Sequence, residues 1–131
     1  MIGDLHVPDE WNGILIIGEA PTSKEMSFKR PFLGGYGLEL SKLLLSSGIY
    51  LKGCATLYAY DKPLKGGDSE SLYRKPLKSR KYGEEWAEEG DLVIKRDFRE
   101  RVHSLRERIS ELRPKLVLAT GNASILSLIH I

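Results

Sequence analysis

The chain of 131 residues has one cysteine, Cys54. That excludes an intrachain disulfide and any four-cysteine zinc or iron–sulfur site built from this chain alone. Cys54 reads as a small packed residue. Histidine is scarce too: His6, His103 and His130 are scattered, and no His/Cys/Asp cluster has metal-ligand spacing. Long apolar runs are missing, and none reaches the about eighteen residues that a membrane span needs. The N-terminal MIGDLHVPDEW carries acids and lacks a basic–apolar leader pattern, so a cytoplasmic protein is expected. Neither sign of charge dominates. Twenty Lys+Arg stand against 18 Asp+Glu, for a net +2, which permits nucleic-acid binding without arguing for it. What is present suits one globular domain, with 41% hydrophobic and 29% charged residues.

Periodicity places the elements. Ile14–Ile17 is a continuous aliphatic run closed by Gly18, the pattern of a buried parallel strand. Residues 36–47 are leucine-rich and end at Gly48, which suits a helix with a glycine C-cap. CATLYAY, residues 54–60, reads as a second strand. Residues 61–91 lack apolar periodicity; cations crowd their first part and anions their second, so they read as a solvated loop or as a basic flap near phosphates. The clearest helix is 97–112. Phe98, Val102, Leu105, Ile109 and Leu112 share one face, His103 lies on the polar side, Asp97 is a candidate N-cap and Pro114 ends the run. KLVLAT, 115–120, is a third buried strand, and GNAS starts another strand-to-helix turn. Strands alternating with helices predict an α/β fold, a three-layer αβα sandwich around a parallel sheet. In such sheets ligands sit outside the carboxyl ends of the strands, here beside residues 18–35, 60–91 and 121–124.

The first of these connections is the unusual one. A strand-to-helix turn normally takes about two to six residues, whereas GEAPTSKEMSFKRPFLGGYG implies a connection of about sixteen. A loop that long usually carries function. It is no phosphate-cradling loop, since no glycine run precedes Lys-Ser/Thr at a helix start. Its GGYG has the wrong spacing for a dinucleotide turn.

The order and spacing of Gly18, Glu19, Ala20, Pro21, Glu25, Arg30, Pro31, Phe32, Gly34 and Gly37 resemble the first motif of the uracil-DNA glycosylase superfamily. LLLSSGI and RPKLVLATGNAS extend the likeness over most of 13–63 and 98–125. The branch most resembled is the one whose typical members carry an iron–sulfur cluster, or a phage-type relative. The family's second motif, Thr-Asn-Val-Val-Lys-Cys-Arg-Pro, is matched at its ends by Thr56 and Pro63. Leu57 stands at its asparagine and Asp61 at a cluster cysteine, so no metal cluster or other cofactor is implied. The family's His-Pro-Ser segment, after a fourth strand, is absent.

The resemblance implies hydrolysis of the bond between a flipped-out uracil and its deoxyribose, with DNA as partner. Phe32 would stack on the base, and Gly18, Pro21 and Gly34 would shape the pocket. The position of Ala20 is an alanine in the iron–sulfur branch also. Backbone amides of 19–21 would donate to the uracil oxygens, and Glu19 would orient the water. Thr56 could offer a hydroxyl, whereas Leu57 cannot pair with a base edge. DNA phosphates would be held by Lys24, Lys29, Arg30, Lys62 and Lys65, with Gly121 and Asn122 at a helix start. Alternatives are a non-catalytic DNA-binding or protein-interaction member of the fold, and a glycosylase for another damaged base.

The tail LSLIHI, 126–131, spells one translated frame of a transposon-end adapter used in sequencing libraries. It is expected to be a read-through scar on a single domain, 1–125, incomplete at its C-terminus. The complete parent is expected to be monomeric. A domain lacking its last strand would expose a sheet edge, with marginal stability or self-association.

Overall fold

Residues 14–18 run straight because branched and long aliphatic side chains alternate to two buried faces. They form β1 (Ile14–Gly18), the centre of a parallel sheet. On one side lies β2 (Ala55–Tyr58), with Ile16 opposite Thr56; on the other lies β6 (Leu116–Ala119), with Ile16 opposite Leu118. The strand order is β2-β1-β6. The computed structural model describes residues 5–28, 31–32, 34–64, 72–74, 85–89, 92–121, 124–125 and 128.

Helices cover both faces, as the strand–helix alternation predicts. Ile16 packs with Leu44 of α2 (Gly34–Ser46), and Leu15 and Ile17 pack with Phe98, Val102 and Leu105 of α3 (Arg96–Leu112). Each of those three α3 side chains is fully buried, a contribution of about 1.5–3 kcal/mol apiece. Ile109 and Leu112 continue the same face and are partly buried. Gly48 closes α2 at φ 78°, with its N–H bonded to the Leu45 carbonyl and the Ile49 N–H to that of Leu44. That pair of bonds is the Schellman closure, and it needs the left-handed conformation that glycine adopts most cheaply.

Asp97 is not the N-cap of α3. The helix begins one residue earlier, Lys95 holds the cap position in extended backbone, and its side chain makes no capping bond. The first amide of the helix is instead satisfied from outside, by the Glu85 carbonyl 2.8 Å from the Arg96 nitrogen. Asp97 sits in the first turn, where a carboxylate still suits the helix dipole.

Two connections differ from expectation. The sixteen-residue span after β1 is not all loop, since it holds α1 (Ser23–Phe28). Nor are residues 61–91 only loop. Together with Leu92–Lys95 they supply a second sheet, antiparallel, of order β3-β5-β4, from β3 (Tyr73–Arg74), β4 (Trp86–Glu89) and β5 (Leu92–Lys95). Leu72 and Ile94 anchor it in the α3 side of the core. Among the described residues β6 has a strand neighbour only on its β1 side, and Leu116 is 47% exposed.

Candidate functional site

The carboxyl ends of β1, β2 and β6 meet at residues 18–21, 58–60 and 119–121. Chain crossings tie them together: the Ala59 N–H donates to the Gly18 carbonyl (2.8 Å), the Tyr60 N–H to that of Glu19 (3.0 Å), and the Thr120 hydroxyl to that of Ile17 (2.9 Å). Gly121 lies against Glu19. A methyl group on Gly121 would sit 3.1 Å from Glu19 Cβ and Oε2, and its φ of 86° independently favours glycine. The first motif and the GNAS turn, a hundred residues apart in the chain, are therefore neighbours. Asn122 lies outside the described residues.

Among the described residues, one cavity opens at this edge and another lies on the α2 side of β2, toward its amino end. The smaller, about 320 Å³, is lined by Glu19, Ala20, Pro21, Thr22, Ser23, Pro63 and Leu64. Pro21 is fully buried in its wall. Having no N–H, Pro21 is no donor, so the amides expected there reduce to those of Glu19 and Ala20. The larger, about 610 Å³, lies under α2 against β2, with Phe32, Thr56, Ser41, His6 and Lys52 among its lining residues. The resemblance implies one pocket for Phe32, Gly18 and Pro21. Phe32 does border Gly18, where a methyl group would come within 3.2 Å of its ring, but it lines the larger cavity and not the smaller.

Phe32 is 7% exposed. Its ring packs with Ile16, Leu44, Cys54 and Tyr58, and its centroid is 5.3 Å from that of Tyr58, the planes tilted by 33°. Gly18 is glycine because the Tyr58 ring occupies the space of its missing side chain, and Gly37 because the Phe32 carbonyl does the same. Glu25, 4% exposed, reaches into the same place. The Tyr58 hydroxyl donates to Glu25 Oε2 (2.6 Å) and accepts from the Phe32 N–H (3.0 Å). Gly18, Glu25, Phe32 and Gly37, spread over twenty residues of the first motif, thus converge on Tyr58.

Thr56 and Leu57, neighbouring positions of the second motif, face opposite sides of the sheet. Strand residues alternate faces. Thr56 faces the larger cavity, whereas Leu57 is 1% exposed in the core beside α3. Their side chains cannot line one pocket. Gly34 opens α2. Lys24 on α1 is exposed, and so is Lys62, whose Nζ is 3.9 Å from Asp97 Oδ2. Lys29, Arg30, Lys65 and His130 lie outside the described residues. Cys54 is buried, accepts from Asn12 Nδ2 at 3.4 Å and behaves as the packed residue expected.

Sequence reasoning missed two features. Thr22-Ser23-Lys24-Glu25 has the T-x-x-E form of a capping box, and the Glu25 N–H does bond Thr22 Oγ1 at 3.1 Å. That signal was there to find. The Tyr60 hydroxyl donates to Asp97 Oδ2 at 2.8 Å, and its ring meets Phe98 edge-on. Burial first, and then the Asp97 hydrogen bond and the charges of Asp97 and Asp61, raise the phenol well above its ordinary 10.0. Nothing local in the sequence marks that pair.

No curated protein matches the chain. The family model described as the uracil DNA glycosylase superfamily does match, over residues 7–130, a span that runs past the boundary expected at 125. Leu128, in that last segment, packs against the α3 side of the core. A parallel β2-β1-β6 sheet between helices, a motif gathered at the carboxyl end of its central strand and a match across nearly the whole chain agree with one another: the chain belongs to the uracil DNA glycosylase superfamily.

Proposed function

We propose that the chain is a DNA glycosylase that removes uracil from DNA in base-excision repair. The observation that carries this reading is the convergence of the first motif on the end of β1, where Phe32 borders Gly18 and residues 19–23 line a cavity. The target nucleotide leaves the stack, at a cost of a few kcal/mol, and its base enters at the end of β1 and packs on the Phe32 ring where that ring borders Gly18. Such stacking is worth about 1–3 kcal/mol. The reaction breaks the bond between the base nitrogen and C1′, and a water oxygen takes its place on C1′. The base departs as an anion and is reprotonated. Glu19 orients that water from its seat against Gly121, and the Glu19 and Ala20 amides stabilise negative charge on the departing base. The Thr56 hydroxyl offers a polar contact to the base. Lys24, Lys62 and Arg30 hold phosphates.

A second reading, a non-catalytic DNA-binding member of the superfamily, is favoured by the burial of Leu57. A site built to pair with a base edge loses discrimination when its polar group is missing. The experiment is incubation with uracil-containing single- and double-stranded oligonucleotides. An alkali-labile abasic product supports the glycosylase. Salt-sensitive binding without product supports the second reading. Product only from a different damaged base moves the substrate and keeps the chemistry.

A further inference from the structure

Tyr58 stands at a valine position of the second motif, which assigns it no role. Its hydroxyl is nonetheless the hub of the buried contacts around Phe32. A ring needed only for packing in this place would be served by phenylalanine. A buried hydroxyl is costly unless bonded, and this one both donates, to Glu25 Oε2 at 2.6 Å, and accepts, from the Phe32 N–H at 3.0 Å. The accepting role matters because Phe32 sits at φ 54°, a left-handed conformation uncommon for a bulky residue. Its amide lies ahead of α2 and gains nothing from the helix. The Tyr58 oxygen holds that amide. The Tyr58 ring lies against the Phe32 ring, and the absent side chain of Gly37 leaves room for the Phe32 carbonyl. Amide, ring and carbonyl are each fixed.

We propose that Tyr58, oriented by the buried carboxylate of Glu25, is a positioning residue that presets the Phe32 ring for the flipped base. This rests on the glycosylase reading for its purpose, though not for its geometry. A ring held in place before the base arrives loses less freedom on binding, so its contribution to orientation is larger.

The test is Tyr58→Phe, which keeps the ring and removes the oxygen. Amide hydrogen exchange followed by NMR should show Phe32 exchanging at least about tenfold faster, the scale of one lost hydrogen bond, with Ile16 and Ile17 unchanged. Single-turnover excision from a uracil oligonucleotide should slow by about tenfold while DNA binding stays within about twofold. Glu25→Gln, whose amide oxygen still accepts from the Tyr58 hydroxyl, should stay near the parent rate, and Glu25→Ala should slow like Tyr58→Phe. In a Phe32→Leu background, Tyr58→Phe should cost nothing further, because the effect runs through that ring. Unchanged Phe32 exchange in Tyr58→Phe overturns the inference, and so does full additivity with Phe32→Leu. If Tyr58→Phe does not fold, the contrast between Glu25→Gln and Glu25→Ala decides. A parent that leaves no abasic site removes the glycosylase reading, and the exchange measurement still decides whether Tyr58 holds Phe32.

Discussion

Phe32 explains more of its surroundings than any other residue. Gly18 and Gly37 are far apart in the first motif, and each yields its side-chain volume to the Phe32–Tyr58 pair. They do not yield it to equal obstacles. At Gly18 an added methyl meets a ring, and at Gly37 it meets a backbone carbonyl that cannot rotate aside. Overpacking of this kind costs about 1–3 kcal/mol, and more where nothing can give. Gly37→Ala should therefore lose more stability than Gly18→Ala in urea unfolding; a Gly37→Ala protein as stable as the parent would falsify the packing described. Tyr60 carries a pH signature. Its raised phenol pKa means that the folded state holds this proton more tightly than the unfolded chain. The stabilisation is complete below the unfolded value of about 10 and is lost as pH climbs beyond it. Tyr60→Phe should flatten the alkaline loss of stability, read as the urea midpoint from neutral pH to about pH 11. An equally steep loss in that variant contradicts the assignment. At this scale the sequence told much about identity and little about direction. The motif singled out Gly18, Glu25, Phe32 and Gly37, yet only the alternation of β2 separates Thr56 from Leu57, and only the fold brings Tyr58 to Glu25, 33 positions away.

Elements were legible where their side chains repeat. The aliphatic run of β1 and the three-and-four spacing of α3 announced themselves. The antiparallel sheet did not, because β3 and β4 are short and polar. A cue was present even so: Gly90-Asp91 separates Trp86–Glu89 from Leu92–Lys95, the two-residue spacing of a hairpin, and Glu89 does pair with Leu92. The start of α3 was misplaced by one residue because the strand before it runs directly into the helix, and a tertiary carbonyl replaces the usual capping side chain. Its end carries a cost. Arg113 occupies the left-handed region at φ 52°, ψ 59°, just before Pro114. Glycine adopts that conformation without the penalty a side chain meets there. Arg113→Gly should raise stability by about 0.5–1 kcal/mol in urea unfolding. A loss of the same size would mean that the Arg113 side chain supplies contacts outweighing the backbone term.

For the whole molecule, alternating strands and helices were enough to infer a parallel sheet with helices on both faces. They also placed the motif at the carboxyl ends of the strands, and family membership follows on a match across residues 7–130. The shape of the site was not legible. From sequence order the aromatic ring and residues 18–21 read as one pocket, whereas the fold distributes them over two cavities that share no lining residue, with α1 in the connection between them. The account stands on that ring as the surface a base rests on. Phe32→Leu keeps most of its buried volume and removes the aromatic face. Single-turnover excision from a uracil-containing oligonucleotide should then fall by roughly 5- to 150-fold, the rate equivalent of about 1–3 kcal/mol of stacking, in a protein that still unfolds cooperatively. A parent that leaves no abasic site, or a folded Phe32→Leu variant that excises uracil as fast as the parent, contradicts it.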